Sequence, residues 1–393
     1  MSSEAVTPEP FAQTLGRMVR LSLGGAVALG FARFAYALIL PAMRADLGWS
    51  FTLAGALNAA NAAGYLVGAL SATRVAGRWG LPRTFAGGMV LTALALLFTA
   101  VVGSAPAAVL ALRLVAGVGG ALVFVSGGGL AALAVRAHPA QSALLLGIFY
   151  GGAGLGILLS ALGLPPVLAS GDWRAAWGGL GAASLLALGV AWPALRGEGG
   201  VGRSARSSAP APLTPLGWAF AAYACFGVGY IAYMTFVVAF LRSVGEGQLV
   251  TVFWAVLGLA VIVSPAVWGR PATALPGARA MGLQMVTLAV GAVLPLLSTH
   301  PAALLLSGLL FGGSFLAVVT FTTVLTRRVL PEGAWGAGIA AFTVVFAAGQ
   351  TLGPLLTGAL SDTAGGLRLG LGVSAAVLGL GAAVAWRQPG GAG

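Results

Sequence analysis

Two arginines, Arg33 and Arg113, lie inside long apolar stretches of this chain, where little water is available to solvate a positive charge. The guanidinium group is planar and offers five N–H donors, so it holds a carboxylate or phosphate through two hydrogen bonds at once. All eight acidic residues fall in tails, loops or the ends of apolar stretches. The two cations therefore lack a built-in partner, and this combination predicts a site for an anionic group that binds and leaves.

Six other polar side chains lie at a similar depth in their apolar stretches. Counting 1.5 Å per helical residue places Arg33 roughly 12 Å and Arg113 roughly 10 Å below the same membrane edge. Asn58 and Asn61 are three residues apart, so they share a helix face. We expect all six to contact the rest of a bound ligand: Tyr36, Asn58, Asn61, Tyr230, Tyr233 and Gln350.

Each of these residues also has a purely structural interpretation. The arginines would bond backbone carbonyls between helices, the asparagines would bridge helices, and the tyrosines would pack as ordinary helix contacts. The 62 glycines are expected mainly to let helices approach closely. The sequence leaves both interpretations open.

The elements that carry these residues are predicted to be membrane-spanning helices. Hydrophobic residues make up 59% of the 393 residues and charged residues only 7%, too few to keep a soluble protein hydrated. An apolar run of about 20 residues crosses the hydrocarbon layer as a helix. Twelve such runs are predicted, at 18–41, 52–73, 84–103, 106–134, 142–164, 174–195, 215–241, 250–269, 280–298, 302–326, 337–360 and 367–386.

The second six spans repeat the first six at an offset of 197 residues, as from Gly30 to Gly227. At this offset Tyr230 takes the position of Arg33. A duplicated six-helix unit is typical of transporters whose halves rock around a central site. We predict a disordered cytosolic tail at 1–16, a first bundle at 17–196, a cytosolic linker at 197–214, a second bundle at 215–387 and a tail at 388–393.

The net charge of +12 is interpreted as membrane topology rather than nucleic-acid binding. All twenty basic residues are arginines, and the predicted spans place fourteen on one side, four on the other and two inside. The positive-inside rule then puts both termini in the cytosol of a bacterium, with the protein in the cytoplasmic (inner) membrane. We expect anionic lipid headgroups to contact that side, and no nucleic-acid partner.

Two spans carry residues that resemble motifs of the major facilitator superfamily. In the fourth span, Arg113 is followed by Gly117 and Gly119, similar to the fourth-helix motif of that superfamily. Trp173 and Arg174 open the sixth span, as a Trp-Arg pair often does there. By this resemblance, the first and fourth helices line a central cavity.

Further motif positions are expected to control movement of the two halves. The loop after the second span carries Arg78-x-Gly80-x-x-Arg83, similar to the end of the loop motif of that superfamily, but Gly77 stands where the motif has an acid before its arginine. In the fifth span, Gly152 stands where the motif of many antiporters has proline. The charge lock and the antiport that those motifs imply are therefore in doubt for this chain. The motif positions are Arg78, Gly80, Arg83, Gly117, Gly119, Gly151, Gly353 and Pro354.

The first and seventh spans resemble one branch of that superfamily, the YbfB/YjiJ-like transporters. The strings that carry this resemblance are Gly30-Phe-Ala-Arg33-Phe34-Ala-Tyr36 and Tyr223-x-x-Phe226-Gly227-x-Gly229-Tyr230-x-x-Tyr233. The resemblance covers essentially the whole chain. It implies an all-helical membrane protein with twelve transmembrane helices in two six-helix bundles.

Together, the resemblance and the buried arginines predict a secondary transporter that moves a small organic solute, an anion such as a carboxylate, by alternating access. Two alternatives stay open: an exporter of apolar or cationic drugs or metabolites, and a non-transporting membrane receptor with this fold. The sequence shows no nucleophile–base set, metal cluster or phosphate-binding loop, so neither an enzyme nor a bound cofactor is expected. A monomer is expected, as is usual for the superfamily.

Overall fold

The computed structural model describes residues 10–102, 104–170, 172–196 and 213–389. Within these ranges, twelve helices are long and apolar enough to cross a membrane, and no strand occurs. The predicted fold class is confirmed. The helices are α1 (Phe11–Leu47), α2 (Phe51–Trp79), α3 (Leu81–Val102), α4 (Pro106–Ala137), α5 (Pro139–Ala169), α6 (Trp173–Leu195), α7 (Thr214–Ser243), α8 (Gly247–Ala274), α9 (Arg279–Leu297), α10 (Pro301–Val329), α11 (Glu332–Ser361) and α12 (Gly366–Ala385).

The first helix begins earlier than the apolar run in the sequence. Because α1 starts at Phe11, residues 11–16, which the sequence assigned to a tail, are helical. Thr14 is buried four residues before Met18, on the same helix face, whereas Ala12 and Gln13 are exposed. Average hydropathy misses these first turns, because Gln13, Thr14 and Gly16 lower it.

Most of the predicted linker and tails lie outside the described residues, which omit 1–9, 197–212 and 390–393. Gln388, placed by the sequence in the last tail, is buried in the bundle. Its Nε2 donates to the carbonyl of Pro215 at 2.7 Å, and its Oε1 accepts from the N–H of Ala219 at 3.1 Å. These bonds attach the end of the second bundle to the start of α7.

The middle of α1 is a π-helix, over Ala26–Phe34. At its end the N–H of Ala35 bonds the carbonyl of Gly30, five residues back, at 2.8 Å. Such wide turns are rare and are frequently found at functional sites. Arg33 lies in the last turn of this segment.

The two halves are built alike. In the first half α3 packs against α4 and α6, and α2 against α4; in the second half α9 packs against α10 and α12, and α8 against α10. A Cβ on Gly30 of α1 would overlap the backbone of Gly156 in α5. In the second half, a Cβ on Gly353 of α11 would overlap the backbone of Val228 in α7. The glycines of the repeat thus let equivalent helix pairs approach to backbone contact.

Consecutive helices run in opposite directions, so their connections lie on two faces. We call the face where α1 starts and α12 ends the terminal face, and the other the distal face. The halves meet along α2 with α11 and along α5 with α8. On the distal side α2 and α11 touch closely, because a Cβ on Gly55 would overlap the carbonyl of Pro354, and one on Gly358 that of Phe51. The distal face is therefore closed.

Candidate functional site

A small cavity of about 50 Å³ lies on the boundary between the two halves. Both halves contribute to its wall, so the wall must change whenever the halves move. The first half supplies Leu29, Arg33, Phe34, Tyr65 and Phe124, and the second half supplies Tyr230, Phe315, Leu316, Val319 and Phe346.

Arg33 is the charged group of this cavity. Its side chain is 3% exposed, and one Nη donates a hydrogen bond to Oε1 of Gln350 in the other half. The same oxygen accepts the hydroxyl of Tyr230 at 2.8 Å. The Arg33 Nε is buried without a partner, and no carboxylate among the described residues pairs with this guanidinium. The Arg33 cation is thus bonded to a neutral acceptor, Gln350, which also accepts a hydrogen bond from Tyr230.

Aromatic rings form the rest of the cavity wall. Phe34 meets Phe315 edge to face across the boundary, with ring centroids 5.5 Å apart. Tyr230 stacks with Phe315 at 5.8 Å and with Phe346 at 5.5 Å. The Tyr65 ring lies 5.8 Å from the guanidinium carbon of Arg33. Flat apolar walls around one cation suit a ligand with an anionic group and an apolar body.

Arg113 lies apart from this cavity and ties helices together. Its Nη1 donates to the carbonyl of Ala32 in the π-helical segment. Its guanidinium carbon lies 5.0 Å from the ring centroid of Tyr36 and 5.3 Å from that of Trp177. Asn61 donates to the carbonyl of Arg113 at 3.1 Å. These contacts connect α4 with α1, α2 and α6, as expected of a structural arginine, although the Nε and Nη2 of Arg113 are buried without a partner, as is the Nε of Arg33.

Among the other predicted residues, some form hydrogen bonds across the boundary and others form them within one half. Asn58 donates to Thr235 across the boundary at 2.5 Å. Tyr233 and Ser307 share a 2.5 Å hydrogen bond inside the second half. Tyr36 donates to the carbonyl of Ala54 at 2.9 Å. Of the eight predicted site residues, the structure places Arg33, Tyr230 and Gln350 in one cluster.

Tyr65 and the phenylalanines of the wall were not predicted from the sequence. Tyr65 lies four residues after Asn61 and seven after Asn58, so the helical spacing that joined the asparagines also includes it. The phenylalanines carried no comparable signal, because an aromatic residue in an apolar helix is equally compatible with lipid contact and with core packing.

The motif glycines have packing roles in this structure. A Cβ on Gly117 would overlap the carbonyl of Asn61, and one on Gly119 would overlap the hydroxyl of Thr92. Gly80 has φ +80°, a conformation that glycine adopts without strain, and it turns the chain from α2 into α3.

An apolar crevice of about 490 Å³ opens between the halves on the terminal side. Helices α1, α5 and α8 line it, with Gly147, Gly151 and Pro265 among the wall residues. Deeper in the molecule α5 meets α8, because a Cβ on Gly154 would overlap the carbonyl of Gly258. Near the terminal face the boundary thus contains this crevice, whereas on the distal side α2 and α11 close it.

Asp362 holds the halves together on the distal face. Its carboxylate, just after α11, accepts the backbone N–H groups of Phe51 and Thr52 at 2.8 Å each and the Thr52 hydroxyl at 2.7 Å. These N–H groups belong to the first turn of α2, where the helix dipole favours a negative charge. We call Asp362, Phe51 and Thr52 the distal latch.

The pKa of the Asp362 carboxyl is lower than its ordinary value. Burial by itself raises it, but the hydrogen bonds from Thr52 and Phe51 and the positive charge of Arg44 outweigh burial. A carboxyl with a lowered pKa contributes fully above its ordinary pKa of about 4 and loses that contribution as the pH falls through the lowered value. The distal latch is therefore charged at neutral pH.

A transporter family described as the uncharacterised MFS-type transporter YbfB matches residues 25–386, nearly the whole chain. This chain belongs to the major facilitator superfamily. The predicted superfamily and its YbfB-like branch are confirmed, and the protein is a multi-pass membrane transporter rather than an enzyme.

Solved structures of transporters share the fold of this transporter. A mutant of the nucleoside transporter NupG aligns with a TM-score of 0.72 at 12% identity, covering 95% of this chain and 98% of NupG. A bacterial homolog of the human lysosomal transporter Spinster, inward-facing and occupied, aligns with a TM-score of 0.68 at 14% identity, covering 97% of both chains. At these identities the likeness establishes the fold alone. A comparison with curated proteins gave no significant match.

We expect Asp362→Ala to open the distal face of the transporter more often. The first turn of α2 loses a charged acceptor worth about 1 kcal/mol, which corresponds to roughly a fivefold change in population. Nitroxide labels at Ser104→Cys and Thr299→Cys, in a Cys225→Ser background, report the distance across this face by double electron–electron resonance. The long-distance population should rise about fivefold.

Asp172→Ala is the matched control, because Asp172 caps α6 within one half by accepting the N–H of Ala175 at 2.8 Å. It removes a helix cap without touching the other half, so the distances should stay unchanged. Between about pH 5 and 8 the wild-type distances should not change through Asp362, since its pKa lies below that range. No increase in Asp362→Ala, or an equal increase in both variants, would contradict the distal latch.

Proposed function

We propose that this transporter moves a small organic anion, a carboxylate with an apolar body, across the bacterial cytoplasmic membrane by alternating access. One observation carries the proposal: Arg33 is buried on the boundary between the halves, and its acceptor there is the neutral Gln350. A buried cation that is bonded only to a neutral acceptor can bind a negatively charged ligand more strongly than it binds that acceptor. The aromatic wall supports an apolar body for the same ligand.

An incoming carboxylate competes with Gln350 for Arg33. A charge-assisted hydrogen bond is about twice as strong as a neutral one, and a carboxylate accepts two from one guanidinium. Arg33 therefore exchanges a bond to the other half for a bond to the substrate. Because Gln350 also accepts the hydroxyl of Tyr230, this exchange changes the contact between α1, α7 and α11. Substrate binding and movement of the halves are thereby coupled.

The cavity must widen to admit an organic molecule. A water molecule occupies about 30 Å³ in the liquid, so about 50 Å³ holds one or two waters. Separation of the halves on the terminal side moves Phe315 and Phe346 away from Phe34 and enlarges the space. The crevice between α1, α5 and α8 lies on that side.

The terminal face is proposed to be cytosolic, because it carries most of the arginines. Arg78, Arg83, Arg196, Arg270 and Arg279 are at helix ends on this face. With this orientation, the structure is closed to the outside and its crevice faces the cytosol. A monomer is sufficient for this cycle, since one chain supplies both halves.

The membrane core offers no titrating carboxylate within the described residues. The acids described there are at helix ends or in connections: Asp46, Asp172, Glu246, Glu332 and Asp362. Uniport, exchange, or symport with the proton carried near the substrate fits this distribution better than coupling through a core acid.

An exporter of apolar or cationic compounds is the second candidate. The apolar crevice and the aromatic wall favour it, since both would accept a bulky hydrophobic molecule. In that case Arg33 has a structural role, and substrate charge does not determine binding. Matched compounds that differ only in charge separate the two candidates.

The first test is a thermal-shift screen of the purified protein with carboxylates of varied apolar bodies, each beside its neutral amide and its amine. A ligand that binds the folded state raises the melting temperature by mass action. We expect stabilisation by a subset of carboxylates. Arg33→Gln should weaken their binding about tenfold to a hundredfold, the loss of a charge-assisted pair, and Arg33→Lys less.

Arg279→Gln is the control for this screen, because it removes an exposed cation at the start of α9 and lies outside the cavity. It should leave the affinity unchanged. If amides or amines stabilise the protein as well as the carboxylates do, or if Arg33→Gln binds the carboxylates as tightly as Arg279→Gln, the anion site is wrong and the exporter is favoured.

Gln350→Glu tests the same site from the opposite direction. The substitution is nearly isosteric and gives Arg33 a permanent carboxylate, which should raise the melting temperature of the free protein and weaken carboxylate binding at least tenfold. Calorimetric titration and thermal unfolding measure the two effects.

Gln284→Glu is the matched control, because Gln284 is fully buried in α9 and both its side-chain polar atoms lack a partner in the described structure. A new acid without a cation should lower the melting temperature there. Unchanged carboxylate affinity in Gln350→Glu would remove Gln350 and Arg33 from the site.

A further inference from the structure

A second pocket, distinct from the central cavity, lies on the terminal face of the first half. It has a volume of about 560 Å³ and is formed by the end of α2, the start of α3 and the end of α6. Its wall contains three arginines and two tryptophans: Arg78, Arg83, Arg196, Trp79 and Trp192.

The three arginines of this pocket are exposed, and within the described residues the structure shows no hydrogen bond or ion pair for their side chains. Other arginines at helix ends are engaged. Arg328 donates to the carbonyls of Ala272, Thr273 and Leu275 at the end of α8. The pocket therefore holds concentrated positive charge that the described part of the protein does not neutralise.

The second half carries its arginines at other positions of the repeat, with Arg270 near the end of α8 and Arg279 at the start of α9. At the repeat offset of 197 residues, Arg78 and Arg83 correspond to Leu275 and Ala280. This pocket is lined by the arginines of the first half alone. Arg78 and Arg83 face α6 of their own half in this pocket, rather than the other half.

The start of α3 adds to the positive potential. The chain turns at Gly80, and α3 begins at Leu81 beside Pro82 in the pocket wall. The N-terminal end of a 22-residue helix carries a partial positive charge and unpaired N–H groups. Together with three guanidinium groups, it favours an anion with several acceptor oxygens, such as a phosphate.

The tryptophans place this pocket at the membrane surface. Trp79 is 56% exposed and Trp192 46% exposed, and tryptophan rings concentrate at the level of the lipid headgroups. Ala86 and Leu195 give the pocket an apolar side. A ligand that fits has a phosphate held by the arginines and an apolar part that continues into the bilayer.

We propose that this pocket binds the headgroup of an anionic phospholipid. The phosphate lies among Arg78, Arg83 and Arg196, the acyl chains pass Trp79 and Trp192, and the lipid joins α2, α3 and α6 on the terminal face. A zwitterionic lipid is disfavoured, because its ammonium group would add a positive charge to a cluster of three.

The test is native mass spectrometry of the purified protein, titrated with phosphatidylglycerol, phosphatidylcholine or inorganic phosphate. We expect one tightly retained phosphatidylglycerol per protein. The triple variant Arg78→Gln, Arg83→Gln, Arg196→Gln should weaken its binding about a hundredfold, since each surface arginine contributes about a factor of five. Replacing the same three residues by lysine should give an intermediate loss, because the charge stays and the planar fork is lost.

The control is the triple variant Arg136→Gln, Arg270→Gln, Arg279→Gln, which removes the same charge from exposed positions on the same face. It should change phosphatidylglycerol binding less than twofold. If both triple glutamine variants lose phosphatidylglycerol affinity equally, the binding reflects general surface charge and the proposed lipid site is wrong. Equal retention of phosphatidylcholine would overturn the selectivity for an anionic lipid, and a phosphate adduct that displaces the lipid would assign the pocket to a free anion. The single variants report the same ranking if a triple variant fails to fold.

Discussion

A guanidinium removed from water needs hydrogen-bond acceptors, and inside a membrane protein only the surrounding helices, trapped water or a ligand supply them. Placing a cation such as Arg33 near the membrane centre costs on the order of 3 kcal/mol on insertion scales. The fold offsets part of this cost through Gln350 and the nearby ring of Tyr65, and it leaves the Arg33 Nε unpaired. The folded protein therefore accommodates this cation, but a bound anion would satisfy more of its hydrogen-bonding capacity.

Arg113 is a buried cation whose contacts link helices within one half. Two aromatic rings and the carbonyl of Ala32 surround it, so it stabilises the crossing of α4 with α1. Arg33 lies on the moving boundary, whereas the contacts of Arg113 stay within one half. In the proposed function, its location on that boundary, more than its burial, assigns Arg33 to ligand binding and leaves Arg113 a structural role. The distal latch and the glycine contacts of α2 with α11 close the boundary on one side.

Hydropathy and the internal repeat predict the helices well, because a membrane span needs a long apolar run and a duplicated unit repeats its close-packing glycines. They also place Arg33 and Gln350 at one depth. The separation of Arg33 from Arg113 was not predictable, since it depends on the direction of each side chain and on the π-helical turn of α1. The start of α1 was missed because Gln13, Thr14 and Gly16 lower the average hydropathy of its first turns.

The most direct measurement is a crystal structure with a bromine-labelled form of the carboxylate that stabilises the protein most, located by anomalous scattering. The carboxylate should lie within about 3 Å of the Arg33 guanidinium in place of Gln350, with the bromine among Phe34, Phe315 and Phe346. A bromine peak confined to the apolar crevice, with Arg33 still bonded to Gln350, would contradict the claim that this arginine binds the transported anion.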